Sequence, residues 1–462
     1  MTPQCAGVKA DVVVANIAQM RTQPFGLLPS QGAETVIVFF GQSMCVGLTV
    51  ADQRNVGHSK PAVVLFCFLE EQANELNRDL CTRCIALLHP KVMTDQTPAD
   101  QIEGTPHPRE TTRLLGQTEA EAAFLEAYNS GRLHHGWLLT GPRGIGKATL
   151  AWRIARFLRA TPDATEDSLF GAPSAPETLD IAAEHPVSTH ILAGSDPGLA
   201  SVTRSANDKG VLRKDITVDD VRALNRFFGL SSADGGRRVV IVDAADEMNV
   251  NAANALLKML EEPPARTTLL LVAHQPSRLL PTIRSRCRTL RLSPLSPADL
   301  VSALAQAGHP SSDPALAALA DGSVGTALRL IEQNGLQMYA ECLALLNSLP
   351  RLDRARALKL ADSLVGRAKA ERFELLLTLL ETALARLARS GAIGQPPAQE
   401  ACSGEAETFA RLAPSPAHAR AWADTAAEVT ARLRHGQAVN LDPATLVLDT
   451  VFNLQKTAAQ GA

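Results

Sequence analysis

From about residue 110 the hydrophobic and polar positions follow two alternating rhythms. Helical spacing predicts a helix over Gln117–Ser130, with Ala122, Ala123 and Leu125 on its apolar face, and another over Lys147–Ala160. In the second, Leu150, Ala151, Ile154 and Leu158 share one side, and Arg153, Arg156 and Arg159 lie off it. Short apolar runs predict strands at Gly136–Leu139, Arg238–Val242, Thr268–Ala273 and Arg288–Leu292. Further helices are predicted at Val218–Phe228 and Asn251–Glu262, and the Pro-, Ser-, Gly- and Asp-rich stretch Thr161–Gly210 reads as looser chain. Strands alternating with helices imply an α/β fold, a parallel sheet covered by helices. After Pro294 the strand pattern stops. Residues 295–333 read as a small helical unit and 338–458 as a larger one, whose segment Glu371–Leu387 repeats Leu375, Leu376, Leu379, Leu380, Ala383 and Leu387 at helical spacing.

Residues 1–92 read differently. They show no sustained helical periodicity, and the β-branched runs Thr35–Phe40 and Val63–Phe68 have no clear order of turns between them. Five cysteines fall here, two of them in Cys81-Thr-Arg-Cys84. A lone CxxC without a second pair reads as unrelated cysteines. Met93 then opens a polar, Pro-rich arm, MTDQTPADQIEGTPHPRE. This break predicts that 1–92 is an appendage, a disordered stretch or the product of a start codon assigned too far upstream.

Composition narrows the class. A chain of 462 residues has room for about three domains. With 45% hydrophobic and 20% charged residues it can bury cores, and a net charge of -3 gives no global field toward nucleic acid or anionic lipid. The apolar runs are too short to span a bilayer, and the N-terminus has no secretory pattern. Eight cysteines in so long a chain argue against a disulfide framework. The expectation is a soluble cytoplasmic protein.

The first chemistry lies at Gly141-Pro-Arg-Gly-Ile-Gly146-Lys147-Ala148, between a predicted strand and a predicted helix. It nearly matches the phosphate loop GxxxxGK[ST]. Gly141, Gly144 and Gly146 let backbone amides turn toward phosphate oxygens, the helix start adds its dipole, and Lys147 supplies a cation. The hydroxyl that should hold Mg²⁺ is replaced by Ala148. Thr149 is the next residue, rotated by about 100° around the helix, and does not inherit the metal directly.

Val239-Val-Ile-Val-Asp243 is an apolar strand ending in an acid, the place that supports Mg²⁺ in phosphate-loop proteins. An active site of the hhhhDE kind has Glu next; here that residue is Ala244. Asp246 and Glu247 follow, and read as favourable charge near a helix N-terminus. The nucleotide-binding set is therefore Gly141, Gly144, Gly146, Lys147, Thr149 and Asp243, in a site that keeps its shape and has lost two catalytic groups.

Asn254-Ala-Leu-Leu-Lys-Met-Leu-Glu-Glu-Pro-Pro264 and Thr282-Ile-Arg-Ser-Arg-Cys287, with GPRGIGKAT and VVIVDAADEMN, carry a family resemblance. Residues 93–462 resemble the AAA+ clamp-loader subunits of bacterial DNA polymerase III, the delta-prime type most closely and its alphaproteobacterial form in particular. Asn440-Leu-Asp-Pro443 adds a weaker match. The resemblance implies an AAA+ phosphate-loop core at 93–293, a helical lid at 294–337 and an all-α collar at 338–462 that packs five subunits into a ring. It also implies that Arg286 is an arginine finger acting in trans on a neighbour's ATP, with Ser285 and Cys287 positioning it.

Three departures shape the functional expectation. Gly322-Ser-Val-Gly325 puts glycine where motor-type subunits carry the sensor arginine; Arg329, one turn later, reads as a surface residue. Ala273-His274-Gln275 lacks the usual sensor Ser or Thr. Residues 161–210 contain no cysteine, so no zinc is expected, and His185 and His190 stand without partners. The resemblance thus implies a stator with little or no ATPase of its own, one component of the DNA polymerase III holoenzyme with no polymerase site in this chain. Its implied partners are the tau/gamma motor subunits, delta, the sliding clamp and, through the complex, primed DNA. ATP binding through the loop stays open, and Mg²⁺ lacks its hydroxyl ligand. The helix at Asn251–Glu262 would lie near template DNA with Lys258 as its only cation, a small contribution to affinity. The alternative is an active AAA+ ATPase. Lys147 and Asp243 favour it; Ala148, Ala244 and Gly325 oppose it. No basic stripe with interleaved aromatics supports a stand-alone DNA-binding protein.

Overall fold

The computed structural model describes the backbone at 28–30, 33–40, 43–50 and 62–67. From 99 to 460 it describes all residues except 102–103, 112, 162–174, 208–209, 230–235, 365–369 and 440. The chain divides into two compact units, Met1–Gln96 and Thr97–Ala462.

In the first unit, β1 (Leu28–Ser30), β2 (Ala33–Phe40), β3 (Ser43–Val50) and β4 (Ala62–Cys67) form an antiparallel sheet in chain order. Ala33 lies opposite Val50 and Phe40 opposite Ser43. The two β-branched runs of the sequence thus fall on β2 and β4. Cys81 and Cys84 lie outside the described residues.

The second unit begins with the arm at 99–116 and continues through α1 (Thr118–Asn129), β5 (Gly136–Thr140), α2 (Lys147–Ala160), α3 (Pro186–Leu192) and β6 (Leu199–Val202). Then follow α4 (Val218–Gly229), β7 (Arg238–Asp243), α5 (Val250–Glu261), β8 (Thr267–Ala273), α6 (Pro281–Arg284) and β9 (Arg288–Arg291). The sheet is parallel, in the order β6-β7-β8-β5-β9. Alternate strand residues face opposite sides. Leu139, Trp137, Val239, Ile241 and Val272 pack with α1 and α2. Leu138, Val240, Val242, Leu269 and Leu271 pack with Val221 and Leu224 of α4 and with Ala252 and Leu256 of α5.

Two expectations need correction. Thr161–Gly210 is not loose chain throughout: it holds α3 and the edge strand β6, which pairs Leu199 with Val239. β6 has four residues, of which only Val202 is buried, so no alternation marks it in the sequence. Within the same stretch, His185 Nδ1 accepts the Val187 amide and caps α3. The three arginines placed off the apolar face of α2 are also buried. Arg153 pairs with Glu121 and Asp180, and Arg156 donates to the Arg109 carbonyl. Arg159 pairs with Asp196 and donates to the Arg237 carbonyl. Segments the helix period cannot reveal cover that face. The arm is one of them: buried His107 pairs with Asp100 at 3.0 Å and sets its ring edge-on to Trp152.

A three-helix lid follows: α7 (Pro297–Gln306), α8 (Pro314–Ala320) and α9 (Val324–Glu332). Ser296, Asp313 and Ser323 cap these helices by accepting amides of their first turns. The collar comprises α10 (Gly335–Ser348), α11 (Arg354–Asp362), α12 (Ala370–Ile393), α13 (Glu405–Leu412), α14 (Pro416–Ala438) and α15 (Pro443–Gln460). On α12, Leu376, Leu379, Ala383 and Leu387 are buried, the stripe the spacing predicts.

Candidate phosphate-loop site and the opposite sheet edge

The loop leaves β5 at the C-terminal edge of the sheet, where the chain passes from β5 to the far strand β6. Crevices outside the carboxyl ends of strands at such switch points are where ligands of open α/β sheets bind. Gly144 and Gly146 have φ of +73° and +99°, a region that side chains disfavour. Gly146 thereby turns the chain into α2.

Lys147, the first residue of α2, is only 3% exposed. Its Nζ donates to the Gly141 carbonyl at 2.7 Å and to the Pro142 carbonyl. Burial pushes its ammonium down to about 8, against the opposing pull of Asp243 and Asp246. Burial, followed by the Asp100 charge, raises Asp243 at the end of β7 to about 7, while Lys147 acts the other way. The arm thus brings a carboxylate within electrical reach of the site, which its polar sequence does not announce.

Asp246 and Glu247 differ from the expected helix-end role. Helix α5 is capped by Asn249, whose Oδ1 accepts the Ala252 amide. Asp246 instead accepts the amides of His274 and Gln275, both at 2.9 Å, and so ties the end of β8 to the end of β7. Glu247 pairs with Arg143 of the loop and with Arg204. Sequence spacing does not reveal these pairings, because the partners are 28 and 104 residues away.

The lid rests on the loop. Ser323 Oγ donates to the Arg143 carbonyl at 2.9 Å, and the Gly325 amide donates to the Gly144 carbonyl at 3.0 Å. A Cβ on Gly144 would lie 2.8 Å from Gly325 Cα, so glycine at both places permits backbone-to-backbone contact. Arg329 differs from the surface reading: it is half-buried, and its charge reaches His274. His274 is pushed down to about 3, by burial first and then by Lys147 and Arg143. Among the described residues its buried Nδ1 has no hydrogen-bond partner.

The loop suits the phosphates of a nucleotide: positive-φ glycines, a helix start and a buried lysine converge. The metal half is incomplete. The side chains of Ala148 and Ala244 offer no oxygen, and Thr149 makes no described contact with Asp243. Among the described residues no three His, Cys, Asp or Glu side chains gather as a metal cluster.

Arg286 lies elsewhere. Pairing of Trp137 with Arg288 and of Thr140 with Arg291 sets β9 parallel to β5. The Arg286 carbonyl lies beside Gly136, the first residue of β5, and the loop begins at 141. Five residues of strand span about 17 Å, far beyond one arginine side chain, so Arg286 cannot serve the loop of its own chain. Its Nη2 pairs with Glu261 Oε1 at 3.0 Å, and its Nη1 donates to the Thr282 carbonyl at 3.1 Å. Cys287 is half-buried and its thiol is pushed up to about 12 by burial. Ser285 Oγ donates to the Thr282 carbonyl. Of the nearby cations, Arg288 covers the Trp137 ring, while Arg284 and Arg291 line a cleft of about 530 Å³ with His274 and Thr140.

Comparison with known proteins bears on this arrangement. Residues 116–296, which span the sheet and both edges, match the family described as DNA polymerase III, delta subunit. The DNA polymerase III subunit delta-prime of Pseudomonas aeruginosa is 42% identical over 153 residues, 33% of this chain and 41% of that one. The subunit delta-prime of Escherichia coli is 33% identical over 234 residues, 50% of this chain and 64% of its own. A gamma/tau subunit of Mycobacterium bovis is 30% identical over 206 residues, 43% of this chain and 31% of its own. The match to each of these relatives covers less than two thirds of the relative's length.

Proposed function

We propose that this chain is a delta-prime-type stator of a bacterial clamp loader, because residues 116–296 match the delta-subunit family of DNA polymerase III. It would stand in a hetero-oligomer with tau/gamma and delta subunits, in the cytoplasm. It would help the ATP-driven loading of a sliding clamp on primed DNA and donate Arg286 to a neighbouring subunit's ATP. The observation that carries this reading is the placement of Arg286 at the sheet edge opposite its own phosphate loop. A half-exposed arginine that cannot reach its own site is placed to serve another chain. Arginine suits that role, because it stays charged and presents a planar fork to phosphate oxygens.

The loop supports nucleotide binding without efficient turnover. ATP held there would supply phosphate charge for Lys147 and the loop amides to bind. Lys147 and the amides of Gly144 and Gly146 would hold that charge, and Asp243 would stand beside it. Ala148 and Ala244 remove the groups that would seat Mg²⁺ and orient water. Phosphoryl transfer depends almost wholly on positioned charge, so the two losses together weigh against a motor. Gly325 adds a third, although half-buried Arg329 brings a cation near His274.

The test is ATP hydrolysis by the isolated chain and by the reconstituted complex, with and without Arg286→Ala. The isolated chain should be inert. The substitution should lower turnover at the one site it serves by about 10³, the scale of a finger arginine. Hydrolysis by the isolated chain that Lys147→Ala abolishes would make this a motor.

A further inference from the structure

We propose that Glu261 is a positioning residue for Arg286, holding the guanidinium so that its free edge faces a neighbouring subunit. The inference rests on the trans role of Arg286 argued above.

Glu261 is the last residue of α5. The C-terminal end of a helix carries partial negative charge, so a carboxylate is locally disfavoured there. Lys258, the sole cation of the last turn, forms no ion pair with it among the described residues, and Glu262 follows directly. What offsets it is Arg286, at 3.0 Å. Two independent ties fix the geometry of the pair. His135 Nε2 contacts the Leu260 carbonyl at 3.0 Å, which anchors the end of α5 to the start of β5. The Arg286 amide donates to the Ile283 carbonyl, which sets the turn that carries it.

The guanidinium is gripped on one side. Glu261 Oε1 takes one N–H and the Thr282 carbonyl takes another. A guanidinium has five N–H donors, so three stay uncommitted among the described residues. The Arg286 side chain is 39% exposed and that of Glu261 45%, so a partner can approach the open edge without breaking the pair. A long, flexible side chain pre-set in this way has less freedom to lose when it meets a phosphate. Glu261 touches no reacting atom; it acts through Arg286 alone.

The experiment uses the reconstituted complex with full-length chains and a complete cycle: wild type, Glu261→Ala, Glu261→Gln, Arg286→Ala and the double variant Glu261→Ala/Arg286→Ala. Steady-state ATP hydrolysis gives kcat and KM; gel filtration checks assembly. The pair is half-exposed, so Glu261→Ala should lower kcat about two- to five-fold and leave KM for ATP unchanged. Glu261→Gln, which keeps an oxygen acceptor, should recover part of that loss. In the Arg286→Ala background, Glu261→Ala should have no further effect. If Arg286→Ala leaves turnover unchanged, the trans reading fails and this inference fails with it. If Arg286→Ala lowers turnover but Glu261→Ala has the same effect in both backgrounds, or raises kcat, or has none, the positioning role alone is overturned.

Discussion

Replacing Glu405 with alanine should unfold the collar at a much lower temperature. Glu405 has no exposed surface and takes hydrogen bonds from three sources. Tyr339 Oη on α10 donates to Oε1 at 2.5 Å. Arg386 on α12 donates twice, from Nε at 2.7 Å and Nη2 at 2.9 Å, and the Ala401 amide donates to Oε2 at 2.6 Å. Alanine would leave a partly buried guanidinium without its counter-charge, together with a buried phenol and an amide without acceptors. Breaking a buried ion pair from one side costs about 3–5 kcal/mol, most of it the penalty of stranding the partner. For a helical unit of this size that is a shift of roughly 10–20 °C. Trp422, buried on α14 with its Nε1 donating to the Leu412 carbonyl at 2.8 Å, reports on the same helices. The assay is thermal melting followed by Trp422 fluorescence in a chain whose other tryptophans, Trp137 and Trp152, are phenylalanine. Glu405→Gln keeps an acceptor and should fall between wild type and alanine. A Glu405→Ala protein that melts within about 2 °C of wild type would refute the reasoning, since no stranded charge could then exist.

Two further outcomes follow from the site. Gly144→Ala meets both a positive φ and the Gly325 backbone, so the lid should separate from the loop; hydrogen exchange at the Gly325 amide should rise, and unchanged protection would refute the contact. Asp243 is raised to about 7 in the folded chain and returns to an ordinary carboxylate value on unfolding. Between those values the folded state holds the extra proton, so this group's contribution to stability falls as pH rises from about 4 to 7 and is level above that. The melting temperature of Asp243→Asn relative to wild type should therefore climb across that window; a flat difference would contradict it.

How far the sequence speaks for the fold depends on burial symmetry. β5, β7 and β8 are buried on both faces and read as continuous apolar runs, so they are legible. β6 is not, because an edge strand with a single buried residue has no pattern to show. α2 is legible as a helix but misleads on its outer side, where three arginines are sealed, two of them by ion pairs with Glu121, Asp180 and Asp196. The site divides in the same way. Gly141, Gly144, Gly146 and Lys147 carry local chemistry that spacing reveals. Glu247 with Arg143, and Glu261 with Arg286, are pairs that only the folded topology brings together.

The two edges of the sheet give the molecule a polarity. The end that carries Arg286 and the end that carries the phosphate loop differ, so contact about a two-fold axis would set arginine against arginine. Head-to-tail contact sets one subunit's arginine beside the next subunit's loop, and repetition of that step generates a ring or an open spiral, never a symmetric pair. Within such a row, under the proposed function, a member with an intact giving end and an impoverished receiving end would stand as a terminus. The other junctions would pass on a signal that their sites have fired; at this one the relay would start or stop.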